Sequence, residues 1–449
     1  MSKQLNLVEG NILGSLTRFS IPIIFALFLQ ALYGGIDLLI VGRFSTTPEV
    51  SGVATGSMLM HTITMVITAL AMGITILVGR RIGERNQEEA GLTIGVGIYL
   101  FLILGGIMSV FSLCCSDWLS SVMHAPPEAF DQTSSYIAIC GGGSLFIVAY
   151  NVLGSIFRGL GDSRTPLITV AIACVLNIIG DLIFVAVFDM GAKGAALATV
   201  LSQALSVAIS FVFISRINLP FKFRINYIKY DSAIISRLMR LGLPLALQEF
   251  LVGISFLIIQ VIVNAIGVVE SAGVGVAEKL CVFIMLLPSG YGQAMAAFVA
   301  QNYGAKRMDR ANKALFIGIM TSLCAGIVTG GVAYFYGDVL STFFSNDIPV
   351  ILASHSYLKA YAIDCIFTAF LFCFLGYYNG CGCTFFVMIQ GIIGAIGVRV
   401  PAVFLISQLS NVTLFQIGLA TPLSSIVQII LCLLMYFRLK NKMATIPRI

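Results

Sequence analysis

The stretch "LQALYGGIDLLIVGRF", Leu29–Phe44, closes an apolar run that begins near Phe19. The run is long enough to cross a bilayer as a helix, which takes about 20 apolar residues. It nevertheless carries Gln30, Tyr33 and Asp37. A carboxylate at the centre of a membrane helix costs roughly 2.5–3.5 kcal/mol on insertion scales. Either this run is not in a membrane, or Asp37 has a function there.

Composition decides for the membrane. Apolar residues make up 58% of the chain and charged residues 10%, with a mean hydropathy of +0.99. A soluble domain carries about 25% charged residues. The 449 residues therefore read as an all-α, polytopic membrane protein. The opening "MSKQLNLVEG" is polar, and the first apolar run has spanning length, so no cleavable signal peptide is expected. The 11 cysteines are scattered; "CC" at Cys114–Cys115 and "CGC" at Cys381–Cys383 are the only clusters. Neither has zinc-site spacing, and all read as small apolar packing residues.

Twelve runs have spanning length: about 19–41, 52–78, 92–114, 133–157, 166–188, 195–215, 241–266, 272–300, 314–336, 351–378, 385–407 and 415–437. Of the 26 Lys and Arg, 21 fall on one side of these spans. They include Lys3, Arg18, Arg80, Arg81, Arg85, Arg158, Arg164, the link cations Lys222, Arg224 and Arg237, then Lys306, Arg307, Arg310 and the tail to Arg448. The other side holds Arg43 and Lys193. The positive-inside rule then places both termini in the cytoplasm. The net charge of +6 is a topology signal, and nucleic acid is not needed to explain it.

A long polar link, Ser215–Arg240, splits the chain near its middle. The expected division is an N-terminal lobe over 1–215, a cytoplasmic linker over 216–240, and a C-terminal lobe with a basic tail over 241–449. The halves resemble each other. "LTRFSIPI" matches "LMRLGLPL", pairing Pro22 with Pro244; "GRRIGERN" matches "AQNYGAKR", pairing Gly83 with Gly304. "IFRGLGDS" matches "GYYNGCGCT", and "LAT" at Leu197 matches "LAT" at Leu419. The offset is 221 or 222 residues. Six spans is an even number, so both halves enter from one side, as parallel repeats.

The repeat serves as an internal control. Structural features should appear in both halves, whereas site chemistry can appear in one. At these offsets Asp37 falls opposite Ile258 or Ile259, and Asn177 and Asp181 fall opposite Val398 and Ala402. Asn177 and Asp181 are four apart, hence on one helical face. At 1.5 Å per residue, Asp37 and Asp181 both lie about 22–27 Å from the inner surface. Thr199 has a comparable depth. Asp37 should therefore face the inside of the first lobe beside these three. Gly34 and Gly35 would let helices approach closely there, or let the first span bend. Glu249 and Asp364 are the second half's own membrane acids, with Arg399 as candidate partner. Glu278–Lys279 reads as a local pair and His61 as a packing residue.

Together these features resemble the multidrug and toxic compound extrusion (MATE) family over about 10–440. The resemblance rests on "QALYGGIDLLIVGRF", "VGRRIGERN", "IFRGLGDSRTP", "LNIIGDLIF", "LGLPLAL" and "VAQNYGAKR", in order. It is strongest to the DinF-like branch. That resemblance implies two six-helix pseudo-symmetric lobes of twelve transmembrane helices. It implies a coupling-ion site at Asp37, Asn177, Asp181 and Thr199, and an N-lobe pocket lined by Gln30, Tyr33, Tyr136 and Asn151. It also implies a multi-pass protein of the cell membrane, expected as a monomer, with small-molecule substrates.

The expected activity is antiport: export of amphipathic, often cationic compounds in exchange for Na⁺ or H⁺. Two carboxylates sharing a buried site resist double ionisation and so should hold a proton or a Na⁺. Carboxylate, amide and hydroxyl oxygens suit a hard cation. No other cofactor is expected. The alternative, a lipid-linked oligosaccharide flippase of the same superfamily, would need several Arg or Lys to hold pyrophosphate. An enzyme is not expected, since neither paired metal-binding acids in a loop nor a nucleophile with its base stands out. The lack of a Walker motif excludes ATP as the energy source.

Overall fold

The computed structural model describes residues 7–216, 223–409 and 412–444. Lys3, Lys222 and Arg448, used above for topology, lie outside the described residues. Eleven helices are long and apolar enough to span, and a twelfth span is a bent pair. Within the qualifying windows between 17% and 61% of residues are buried, so much apolar surface remains for lipid. Leu39, Val187 and Phe335, each more than 70% exposed, belong to that surface.

The chain opens with α1 (Ile12–Phe44), α2 (Thr47–Gly83) and α3 (Gln87–Cys114). Their starts follow from capping chemistry. Asn11 accepts the Leu13 N–H, Asn86 accepts the Glu89 N–H, and Glu49 accepts the Thr46 N–H at 2.9 Å. Such side chains satisfy N–H groups that a helix start leaves without partners. The short α4 (Ser116–Val122) follows. The fourth span is then broken into α5 (Phe130–Gly142) and α6 (Ser144–Gly159), which meet at 53°. The break falls at Gly143 in "CGGG", where glycine's weak helix preference permits it. The fifth span is α7 (Arg164–Asp181), continuing as a π-turn over Leu182–Val187; the sixth is α8 (Gly191–Arg216).

The remaining helices are α9 (Ser232–Asn264), α10 (Val268–Gly304), α11 (Met308–Ser341) and α12 (Ile348–Gly380). The eleventh span is α13 (Thr384–Ile392), a π-turn over Ile393–Arg399, and α14 (Val400–Ser407). The twelfth joins α15 (Leu414–Gly418) to α16 (Ala420–Ala444). Pro22, Pro244 and Pro288 lie inside α1, α9 and α10, each removing one ladder hydrogen bond.

Contacts divide the chain into two units. The first holds Met1–Ala246 with Ala300–Met308; the second holds Leu247–Val299 with Asp309–Ile449. The first unit thus gains the C-terminal end of α10. There Asn302 donates to the Leu7 carbonyl at 3.1 Å and Arg307 to the Val8 carbonyl at 2.8 Å. Arg307 therefore has a structural bond in addition to any topological role. Of the 11 cysteines, all free, Cys114 and Cys324 are exposed rather than packed.

Candidate ion site in the first unit

Helices α1, α7 and α8 meet in pairs in the first unit, and four polar side chains come together among them. Asp37 lies in the C-terminal part of α1 and is buried. Asn177 and Asp181, one turn apart on α7, are both 0% exposed. Thr199, near the start of α8, donates its hydroxyl to Asp37 Oδ2 at 3.4 Å. The Asn177 and Asp181 side chains lie beside the Asp37 carboxyl. The helices that carry them also form an apolar cluster, in which Ile40, Val41, Val53, Met60, Val185 and Ala195 are buried together. The π-turn of the fifth span starts one residue after Asp181, and such turns recur at functional sites.

Hydrogen bonding inside this cluster is incomplete. Asp37 Oδ1, both carboxylate oxygens of Asp181, and Asn177 Oδ1 and Nδ2 are buried without a hydrogen-bond partner. Among the described residues, no Lys or Arg acts on either carboxyl group. Buried charges ordinarily pair or bind an ion, because leaving water unpaired costs several kcal/mol each on the order given for ionised groups. Two carboxylates, an amide oxygen and a hydroxyl are hard oxygen donors, fitting Na⁺. A proton shared between the carboxyls would satisfy the same need.

The four expected pocket residues divide. Gln30 is exposed and donates to the Tyr150 hydroxyl at 3.4 Å; Tyr33 is half-buried and accepts from Gln203 Nε2 at 3.4 Å. Tyr136 and Asn151 are buried. Asn151 is engaged by the protein, accepting from Thr68 at 3.0 Å and donating to the Ile147 carbonyl at 2.8 Å. It ties α2 to α6 rather than lining open space. Gln203 was not singled out from the sequence. Its signal was available, because it sits four residues after Thr199 on one face of α8.

Gly34 and Gly35 do not serve close approach: a Cβ at either would meet nothing within 4 Å. α1 runs unbroken past both.

The same arrangement can be sought elsewhere. The MatE family model matches the chain twice, over residues 22–183 and over 244–405. The chain belongs to the MATE family. Among curated relatives of this MATE protein is the "Probable multidrug resistance protein YoeA" of Bacillus subtilis, 23% identical, covering 93% of this chain and 92% of the relative. Another is the "Multidrug export protein MepA" of Staphylococcus haemolyticus, 23% identical over 90% of this chain and 89% of the relative. A solved structure titled "Outward-facing conformation of a multidrug resistance MATE family transporter of the MOP superfamily" aligns with a TM-score of 0.92 at 21% identity, covering 99% of this chain and 100% of that one. At that identity the likeness shows the fold: a multi-pass, all-helical MATE architecture.

The two family matches also bear on the pairing of the halves. They are of equal length and set 222 residues apart at both ends. Gly161 and Gly382, 221 apart, both have positive φ, 82° and 77°, just before the fifth and eleventh spans. Both spans then carry a π-turn, over Leu182–Val187 in the fifth and Ile393–Arg399 in the eleventh. At the 222-residue offset of the family matches Asn177 falls opposite Arg399 and Asp181 opposite Val403; at the 221-residue offset of the glycine motif they fall opposite Val398 and Ala402. Asp37 pairs with Ile259 and Thr199 with Thr421. The second half is not apolar at all these places: it holds a buried Arg.

Other second-half expectations also shift. Arg399 makes no ion pair within 4 Å among the described residues; its Cζ lies 4.7 Å from the centre of the Phe256 ring. Asp364 is buried beside Ser425, within electrostatic reach of Arg399. Glu249 is half-buried, and Arg399 does not act on it. Glu278 and Lys279 form no ion pair: Lys279 Nζ lies 5.9 Å from the Phe344 ring centre. His61 is exposed on α2, so it is not a packed residue.

Proposed function

We propose that this MATE protein is a secondary active exporter of amphipathic, often cationic small molecules, driven by inward exchange of Na⁺ or H⁺. The observation that carries this reading is the acidic cluster of α1, α7 and α8: two buried carboxyl groups, five unpartnered polar atoms, and no protein cation. The relatives named for multidrug export and resistance supply the substrate class.

Each residue has a distinct part. Asp37 and Asp181 together hold the ion, since a single cation or proton removes their mutual repulsion. Asn177 contributes an amide oxygen from the same face of α7. Thr199 orients the Asp37 carboxylate through its hydroxyl. When the ion arrives, the groups draw together and the outer part of α1 moves with Asp37. Pro22, which breaks the α1 ladder near its inner end, makes that helix easier to bend. Ion and substrate then favour different states of the protein, and this difference in affinity is the coupling. The basic loops support cytoplasmic termini by the positive-inside rule, and the ion enters from outside down its gradient.

A flippase for pyrophosphate-linked lipids would need a basic site. Arg399 is the one Lys or Arg among the buried described residues, and it lies in the second half. The acidic first unit favours cation exchange. The test is substrate efflux from vesicles under a Na⁺ gradient alone and a pH gradient alone. Efflux under one of them, lost in Asp37→Asn, is expected; efflux under neither overturns the reading.

A further inference from the structure

The mechanism proposed above makes no use of the residues before α1. Leu7 is nonetheless 0% exposed, and the segment it opens is held from two distant parts of the chain. Asn302, in the last turn of α10, donates to the Leu7 carbonyl at 3.1 Å; Arg307, just beyond α10, donates to the Val8 carbonyl at 2.8 Å. Arg85, just beyond α2, lies 3.7 Å from the Glu9 carboxylate. The guanidinium bond to Val8 is charge-assisted and hence among the strong ones, whereas the exposed Arg85–Glu9 pair adds little. Gly10 then turns the chain into α1 at a φ of 78°, and Asn11 caps the helix.

The two helices that hold this segment also touch each other. α2 and α10 occupy matching places in the two repeats, and their C-terminal ends cross where Gly83 faces Gln301 and Gly304 faces Arg80. A Cβ on Gly83 would overlap the Gln301 carbonyl, and one on Gly304 the Arg80 carbonyl, so the backbones meet with no side chain between them. Around the crossing, the Arg80 guanidinium lies 4.5 Å from the centre of the Tyr303 ring, and Gln301 donates to the Gly159 carbonyl at 3.0 Å. The segment before α1 thus runs from the residues that end α10 to the residue that follows α2. Its strongest bonds are made by backbone carbonyls, so they depend on where the chain runs and not on the side chains of Leu7 and Val8. Once the two helix ends part by more than a hydrogen-bond length, the segment must let go of one of them.

We propose that residues 7–10 are a strap that latches the crossing of α2 and α10: the two helix ends part only when Asn302 and Arg307 release the Leu7 and Val8 carbonyls. By the topology proposed above this is the cytoplasmic side, so the strap sets how readily the exporter opens to the cytoplasm. That consequence rests on the exporter reading; the latch itself does not.

Hydrogen–deuterium exchange of the purified full chain, without substrate or ion gradient, tests the latch from both directions. Gly10→Ala adds a methyl that meets nothing within 4 Å but disfavours the positive φ the strap needs. Arg307→Gln removes the charged donor to Val8. Each should raise exchange over residues 79–86 and 300–306 by at least about fivefold, while α12 keeps its wild-type exchange. Coupling is reciprocal, so Gly83→Ala, which forces the crossing apart, should raise exchange over residues 8–13 by a similar factor. Wild-type exchange at the crossing in both strap variants overturns the latch, and so does an equal rise in α12. If Gly83→Ala cannot be purified, the two strap variants decide. In vesicles without an ion gradient, Gly10→Ala should exchange labelled for unlabelled substrate at least about twofold faster than wild type. An unchanged or slower rate overturns the strap's part in opening, whereas no substrate exchange by wild type would overturn the exporter reading and leave the deuterium result standing.

Discussion

The two halves of this MATE protein share a helical plan but differ in how they treat buried charge. In the first, Asp37 and Asp181 face each other with neutral Asn177 and Thr199 as company, and no basic side chain acts on them. In the second, the positions 222 residues on carry Ile259, Val403, Arg399 and Thr421. One half has acids lacking a cation; the other has a cation set among acids. The apolar frame tolerates either, because the cost of a buried charge is offset locally and not by the fold as a whole. A duplicated scaffold can therefore keep its packing while only one copy responds to an ion.

The comparison is broken most directly at Asp37. Asp37→Asn should reduce gradient-driven efflux by at least about tenfold, the scale of a lost charge-assisted contact, with membrane insertion and yield unchanged. Vesicle efflux and detergent chromatography check both halves of that statement. Wild-type efflux would end the claim that the halves differ in coupling. Asp364→Asn should reduce coupled efflux less than Asp37→Asn does. If it proves the more damaging change, coupling belongs to the second half.

How much of this contrast could be read from the sequence depends on what each feature leaves there. The twelve spans are visible because crossing lipid demands long apolar runs. Asp37 and Asp181 are visible because a carboxylate in such a run stands out and because helical rise fixes its depth. The π-turn over Ile393–Arg399 leaves no hydropathy signal: it changes which carbonyl each N–H reaches, not which residues are apolar. The 221-residue offset of the glycine motif pairs Asn177 with Val398, whereas the 222-residue offset of the family matches pairs it with Arg399. The bonds from Asn302 and Arg307 to the Leu7 and Val8 carbonyls are equally silent, since the acceptors are backbone atoms. Gly34 and Gly35 mislead in the opposite sense, because small residues suggest close packing where the structure leaves open space.

Smaller effects sharpen the account. Thr199→Val removes one 3.4 Å hydrogen bond to Asp37 and should weaken ion binding by severalfold, on the order of 1 kcal/mol, without abolishing transport. A loss as large as that of Asp37→Asn would make the hydroxyl an essential ligand. Charge-neutralising Arg307 with Arg310 should lower yield more than substrate affinity, because Arg307 holds the Val8 carbonyl and Arg310 stacks on Phe298 at 5.4 Å. A lower affinity at full yield would place these loops on the substrate path. Smallest of all, Gly34→Ala and Gly35→Ala should each leave folded yield unchanged, since the added methyl meets nothing. Slower efflux at normal yield would show that α1 bends at those glycines during the cycle.

The central claim is that the coupling ion is taken between Asp37 and Asp181. Equilibrium binding of radioactive Na⁺ to the purified protein, run beside proton uptake on the same sample, tests it without reference to substrate. Saturable binding of one of the two ions, lost in Asp37→Asn and in Asp181→Asn and kept in Asp364→Asn, is the predicted result. Binding that survives both first-half substitutions, or disappears in Asp364→Asn, would contradict it.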